Sequence, residues 1–370
     1  MDETSITFFN SQVSPRACEL VSDVLRSGWL SEGARVKEFE GALTERLGLV
    51  NPVALNSGTS ALHLALAVAG VGPGDEVILP PQTFVATGLA ILMQGATPVF
   101  ADINPNTGNI CPLSIASRIT ERTKAIIPVH WAGYPCDMDE IAAIAQANGL
   151  AVIEDAAHAL GATYRGRPIG SLSRFTAFSF QAIKHLTTGD GGALCCRSPV
   201  DAARARARRW FGIDRANSQP SILGERIFDI TEVGYKYHMN DLAAAIGLGN
   251  LEDFPARLSR RQTIAREYRR ELQGVAGIRL LECNPDRVSA SWLFTMLVED
   301  REGFIRKLRD SFIPVSVVHL RIDRYSVFGG VRGDLSNQTT FDSHQASIPV
   351  HEALTETVVE RIVRTIHQGW

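Results

Sequence analysis

The sequence predicts an α/β protein, with a mainly parallel sheet covered by helices in a large unit and a smaller α+β unit after it. Three observations carry this expectation. Apolar β-branched runs alternate with helical patterns through the first two-thirds of the 370 residues, the rhythm of strands joined by crossover helices. Those runs are nearly continuous in apolar residues, as in strands buried on both faces. A long helical text, roughly Asn240 to Gly274, then leads into a β-β-α-β pattern. The large unit is placed at residues 1–250 and the smaller C-terminal unit at 251–370.

The elements follow in order. "SALHLALAVAGV" reads as a helix, closed by Pro73-Gly74. "EVILP" is a short strand, "FVATGLAILMQG" a helix and "TPVFADI" a strand. "KAIIPVH" is a strand, "MDEIAAIAQANG" a helix ending at Gly149, and "LAVIEDAA" a strand. "FTAFSF" alternates and reads as a strand, with Ser179 directed away from its phenylalanine neighbours. The glycines of "TTGDGG" allow a tight turn back into "ALCC". In the C-terminal unit "IRLL", "SWLFTMLVED" and "PVSVVHL" read as strands, and "REGFIRKLRDSF" as a helix. The least regular part, Trp210 to Asn240, is a long aromatic-rich excursion of the kind that is functional or packed against a partner.

Composition narrows the function. With 37 basic and 40 acidic residues the net charge is −3, and no basic excess favours nucleic acid or an anionic membrane as partner. No apolar run reaches membrane-spanning length. The six cysteines form no C-x-x-C pair, so reduced buried thiols in a cytoplasmic protein, with no metal site, are expected. The start, "MDETSITFFNSQ", lacks the apolar segment of a signal peptide.

Ligands on parallel sheets collect at strand carboxyl ends, so polar residues just after strands are the candidates for chemistry. In "ALNSGTSALHLAL" a strand gives way to a helix, whose unpaired first-turn N–H groups favour a phosphate. Gly58 permits close approach, and Thr59 and Ser60 add hydroxyls; taken alone, such a stretch is more often a plain helix cap. Asp155 ends an apolar strand in "VIEDAAHALGA". A poorly solvated carboxylate there needs a cation or donors, although it would also serve as a cap. His158 follows three residues later, and Phe84 in "LPPQTFVAT" can stack on a planar ring or simply pack. Lys184 lies in "FSFQAIKHLTTGDGGAL". Against apolar walls its amine becomes nucleophilic; in isolation it would be a solvated lysine. Together, a phosphate seat, a buried Asp, a stacking aromatic and a lysine are the parts that hold pyridoxal 5′-phosphate.

The ordered stretches "NSGTSAL", "PPQTFVAT", "EDAAHALGA", "FSFQAIKHLTTGDGG" and "GYKYHMND" resemble the sugar aminotransferases of the DegT/StrS type, within the fold-type I (aspartate aminotransferase-like) enzymes. The likeness covers most of the chain. It implies that Lys184 is the internal-aldimine lysine and Asp155 the partner of the pyridine nitrogen. It places Thr59, Ser60 and Ser179 at the phosphate, beside the Gly58 that permits close approach, Phe84 on the ring face, and His158 where Gln often contacts the ring oxygen. Lys236 stands where many members have an Asn that reaches the neighbouring subunit's cofactor phosphate, so it is expected to touch that phosphate or a substrate diphosphate. A homodimer with sites at the subunit interface follows from the same resemblance. Ser179, Phe180, three residues and then Lys184 keep the family spacing, which favours transamination over the dehydration catalysed by relatives with His in place of the lysine.

The expected reaction is ping-pong transfer of the amino group of L-glutamate to a nucleotide-linked keto sugar, with a 4-keto-6-deoxy sugar favoured and a 3-keto sugar the other choice. A keto-cyclitol acceptor, or a cofactor-binding regulatory protein without turnover, are the alternatives. In "PVSVVHLRIDRYSVFGG", His319 and Arg321 are the substrate-side candidates, because the Arg fork suits a carboxylate or diphosphate. Arg215 is a weaker one.

Overall fold

The computed structural model describes residues 6–215 and 218–370. The first residues of the acidic start, and positions 216 and 217 of the Trp210–Asn240 excursion, lie outside the described residues. Helices α1 (Pro15–Ser27) and α2 (Ala34–Leu47) precede an alternation of β1 (Pro52–Leu55), α3 (Gly58–Ala69), β2 (Glu76–Leu79), α4 (Val85–Met93), β3 (Thr97–Phe100), α5 (Pro112–Arg118), β4 (Thr123–Ile126), α6 (Met138–Ala147) and β5 (Ala151–Asp155). A minimal hairpin, β6 (Thr163–Tyr164) and β7 (Arg167–Pro168), leads to β8 (Phe175–Ser179), β9 (Gly192–Cys196) and α7 (Pro199–Arg208).

Seven strands form one sheet in the order β1-β9-β8-β5-β4-β2-β3. The pairs β2–β3, β2–β4, β4–β5 and β5–β8 are parallel, while β9 runs antiparallel to both neighbours. Successive side chains enter opposite cores, as the strand period of two requires. Val77 and Leu79 pack with α3 and α4, whereas Ile78 packs with the core shared by α2 and α6. Both faces are thus covered, the arrangement that near-continuous apolar strands predict. The parallel pairing sets Asp155, the last residue of β5, opposite Ala177 of β8. Asp155 and Ser179 therefore leave the sheet at the same edge.

After the hairpin β10 (Gln219–Pro220) and β11 (Arg226–Ile227), α8 (Asp241–Leu272) runs for 32 residues. Asn240 caps it by accepting the Ala243 N–H, and the Asp241 carboxylate accepts N–H groups of Gly33, Arg35 and Val36 at the start of α2. Its first half, through Leu251 and Phe254, joins the core of the large sheet. Its second half, through Ile264, Tyr268 and Leu272, joins another core. That core lies under the sheet of β12 (Ile278–Leu280), β14 (Phe294–Val298) and β15 (Gln345–Ile348), with α9 (Arg301–Asp310) and α11 (Glu356–His367). The short β13 (Arg287–Val288) pairs with β6, and α10 (Ser336–His344) precedes β15.

One expected strand is absent. "PVSVVHL" makes a single bridge, Ser316 to Ser347, and the third strand of this sheet is β15 instead. Val318 sits at φ 60° and its N–H is taken by the Ser316 hydroxyl. This local turn competes with the ladder and swings the chain toward the large sheet. Among the described residues, no helix is long and apolar enough to cross a membrane.

Candidate active site

The cavity at the carboxyl edge of the large sheet begins with the entry to α3. Ser57 caps the helix by accepting the Ser60 N–H at 3.0 Å. A Cβ on Gly58 would stand 2.9 Å from Ser179 Cβ, and one on Gly192 would stand 2.5 Å from the Ser57 carbonyl. Only glycine at both positions lets the helix start rest on β8 and β9. Ser57, Gly58, Thr59 and Ser179 line the cavity there, and unpaired first-turn N–H groups beside hydroxyls make a seat for a phosphate.

Asp155 lies across the cavity and is buried. One carboxylate oxygen accepts the Thr87 hydroxyl at 2.7 Å and the other the Ala157 N–H at 3.1 Å. Burial pushes its pKa up, against the pull of those two bonds and of Lys184. Each carboxylate oxygen retains a lone pair, so a cationic N–H in the cavity would find an acceptor. Residues 156–162 turn without forming a helix, so Asp155 caps a turn and not a helix. Phe84 is 53% exposed although its neighbours Thr83 and Thr87 are buried. Its ring lies open to the cavity, 5.1 Å from the His319 ring.

Lys184 retains some accessible surface toward the cavity, yet its amine is crowded by protein. Burial lowers its pKa to about 7, with Asp155 opposing. Its Nζ lies 3.8 Å from the centroid of the Trp292 ring. His158 stacks on the same indole at 3.7 Å, and its buried Nδ1 has no hydrogen-bond partner. Burial, with the nearby Lys184 charge second, holds His158 well below the ordinary histidine range and His319 down to about 4. Both rings are neutral at pH 7.

The cavity, of about 360 Å³, gathers Gly58, Thr59, Phe84, Asp155, His158, Ser179, Lys184 and His319. Four other candidates lie elsewhere. The Ser60 hydroxyl is bonded to Asn56 and Ser57, so it builds the cap and does not line the cavity. Lys236 is exposed and lines a separate open cleft with Leu30, Asn56 and His238. Arg215 sits 4.3 Å over Trp210 and pairs with Glu32. For Arg321 the structure corrects the expectation of a substrate-facing fork. Its guanidinium is buried, bonded at two points to Asp323 and further to Thr339 and the Arg332 carbonyl. The fork is already filled and holds the loop after His319.

Sequence reading missed Ser57, Thr87, Gln181, Asp190 and Trp292 in the lining. Thr87 carried a signal, one helical turn after Phe84. Trp292 carried none, since it stands in an ordinary apolar run.

A planar, phosphate-bearing pyridine fits these residues. The anion seat, the buried Asp155 with spare lone pairs, the open face of Phe84, the unpartnered His158 nitrogen and the Lys184 amine all border one space. Comparison with known proteins agrees, since residues 12–367 match one family model along nearly the whole chain. The chain belongs to the DegT/DnrJ/EryC1/StrS aminotransferase family. It is 38% identical over 358 residues to the spore coat polysaccharide biosynthesis protein SpsC of Bacillus subtilis, covering 94% of this chain and 92% of that one. It is 34% identical over 369 residues to the GDP-perosamine synthase of Caulobacter vibrioides, covering 95% and 94%. Among solved structures, AtS13 from Actinomadura melliaura superposes with a TM-score of 0.95 at 41% identity, over 100% of both chains. The putative sugar aminotransferase Spr1654 from Streptococcus pneumoniae, solved in PLP and PMP forms, superposes at 0.90 with 30% identity over 98% of both chains. The protein is a pyridoxal-phosphate-dependent aminotransferase of the sugar aminotransferase family, with the fold-type I architecture.

Proposed function

We propose that this aminotransferase moves the amino group of L-glutamate to a keto sugar carried on a nucleoside diphosphate, in two half-reactions at one site. A 4-keto-6-deoxy sugar is the favoured acceptor and a 3-keto sugar the other choice. The observation that carries the chemistry is the Lys184 amine, lowered to about 7 by burial, in one cavity with Asp155 and the start of α3. The likeness to a GDP-perosamine synthase supports the nucleotide-linked sugar.

When bound, pyridoxal phosphate supplies the electron sink that lets an amino group and a carbonyl oxygen exchange. The protein does the rest. The N-terminus of α3, with Thr59 and Ser179, would hold the phosphate. Phe84 would stack on the ring face, and Asp155, steadied by Thr87 and the Ala157 N–H, would keep a proton on the ring nitrogen. His158 Nδ1 is the free group for the ring oxygen, as a donor in that tautomer. Lys184 Nζ would take the proton from the α-carbon of the amino donor and deliver it to C4′ of the cofactor, and near neutral pH it is poised to act as base and then as acid. His319, opposite Phe84, borders the room left for substrate.

The same reading makes the enzyme a homodimer in which Lys236 serves the partner's site. Supporting it, Lys236 is exposed in an open cleft bordered by the half-exposed Leu30. Ile222, Leu223, Ile227, Phe228, Ile230 and Val233 of the nearby excursion are also exposed, and apolar patches of this kind mark association surfaces.

The test is an assay of the purified enzyme with glutamate and a panel of nucleotide-linked 4-keto and 3-keto sugars, following 2-oxoglutarate. Release of 2-oxoglutarate that depends on one of these sugars is the expected result. Conversion of the cofactor by glutamate with no sugar accepting the nitrogen would overturn the substrate assignment. No conversion at all would overturn glutamate as donor.

A further inference from the structure

Trp292 comes from the segment after α8, just before β14, yet it walls the cavity of the large sheet. It is held tightly there. Its ring nitrogen donates to the Ile183 carbonyl at 3.1 Å, and its backbone N–H donates to the Ala132 carbonyl at 2.9 Å. Two residues earlier, the Ala290 carbonyl accepts from His185 Nε2 at 2.8 Å, which sets the His185 tautomer. Ile183 and His185, the residues on either side of Lys184, are thus strapped to residues 290–292. Between the straps, Lys184 Nζ lies 3.8 Å from the indole centroid.

We propose that the indole face of Trp292 is the docking position of the Lys184 ammonium, and that Trp292 is a positioning residue for that lysine. Whenever the lysine is free and protonated, its charge needs a partner in a cavity poor in water. A carboxylate beside it would hold the lysine as a fixed ion pair. An aliphatic wall would leave the ammonium unsolvated. The negative face of an indole attracts the cation more weakly and releases it readily. The other titratable groups around Lys184 are Asp155 from the end of β5, His158 from the turn after it, His185 beside it, Asp190 from the turn before β9 and His319 from the loop before Arg321. Burial pushes the three histidines toward the neutral form, Asp155 is the charge that pulls Lys184 toward its cation, and the indole face lies against the amine.

The test follows the pH profile of Lys184 acylation in full-length, cofactor-free protein, read by peptide mass spectrometry. The wild type is expected to show an inflection at about 7. Trp292→Leu keeps the apolar bulk and loses the ring face, so its inflection is expected to fall by about 0.5–1.5 pH units. A tryptophan indole wall that merely excludes water predicts the opposite sign, because loosening it would return the lysine toward its ordinary 10.5. An inflection that rises or stays in place overturns the proposal. Fluorinated tryptophan at position 292 keeps the shape and weakens the ring's negative face, so it carries the same test if Trp292→Leu does not fold. The inflection should then fall stepwise with fluorine number, and a constant value overturns the proposal. Neither amino donor nor sugar takes part, so a failure here is separable from a failure of the substrate assignment.

Discussion

Two residues illustrate how burial shifts the proton affinity of ordinary side chains. Lys184 is lowered to about 7 and Asp155 is raised, both chiefly by loss of water. The lysine carries a consequence for stability. Its folded-state pKa lies below the ordinary 10.5, so the unfolded chain binds that proton more tightly. The destabilisation is complete below pH 7 and fades as pH rises toward 10.5. In cofactor-free protein, Lys184→Met is expected to be more stable than wild type at pH 6. The two should converge as the pH approaches 10.5, checked by denaturant unfolding across that range. Loss of turnover in the same variant checks the role of the amine. For Asp155, Thr87→Val removes one of two bonds to a buried carboxylate. A hydrogen bond to a charged group is worth about 1.5–3 kcal/mol, so the cofactor dissociation constant should rise about 10–100-fold. Spectrophotometric titration measures this, and an unchanged affinity would show that the Ala157 N–H alone suffices.

At the scale of elements, the site depends on how closely α3 approaches β8 and β9. Alanine at Gly58 or Gly192 would place its Cβ 2.9 Å or closer to Ser179 or the Ser57 backbone. Each is expected to cost about 1–3 kcal/mol as overpacking and to weaken cofactor binding with it. Gly41, inside α2, has nothing within 4 Å of an added Cβ, so Gly41→Ala should instead stabilise by about 0.5–1 kcal/mol. Thermal unfolding of the three variants gives opposite signs. The elements themselves were largely legible, because strand and helix periods are local. "EVIL" and "LAVIEDAA" could hardly be anything but buried strands. "PVSVVHL" has the same apolar look and is not one, since the turn at Ser316–Val318 takes the backbone donor that a ladder would need.

At the scale of the molecule, the proposed dimer makes a quantitative prediction. If Lys236 serves the partner's site, a Lys184→Ala subunit paired with a Lys236→Ala subunit has one complete site and one doubly defective site. Random reassortment of equal amounts should restore roughly a quarter of wild-type activity, since half the dimers are mixed and each carries one site. Separately inactive variants that stay inactive on mixing would place Lys236 in its own subunit's site, and a Lys236→Ala variant active by itself would place it outside catalysis. The expectation for Arg321 failed at this scale too. A fork after a strand looks available in sequence, but the fold turns it inward onto Asp323.

The sequence by itself determined the alternation of strands and helices, the covered sheet and the positions of Lys184, Asp155, Phe84 and the start of α3. Those follow from periodicity and from the residues that end each strand, which are properties of neighbours along the chain. Only the tertiary structure decided that Trp292 stands against Lys184, that His319 shares the cavity while Arg321 does not, and that Lys236 faces outward. Those outcomes depend on packing between segments far apart in the chain, where burial and an unfilled hydrogen bond decide the position, and no local pattern encodes either.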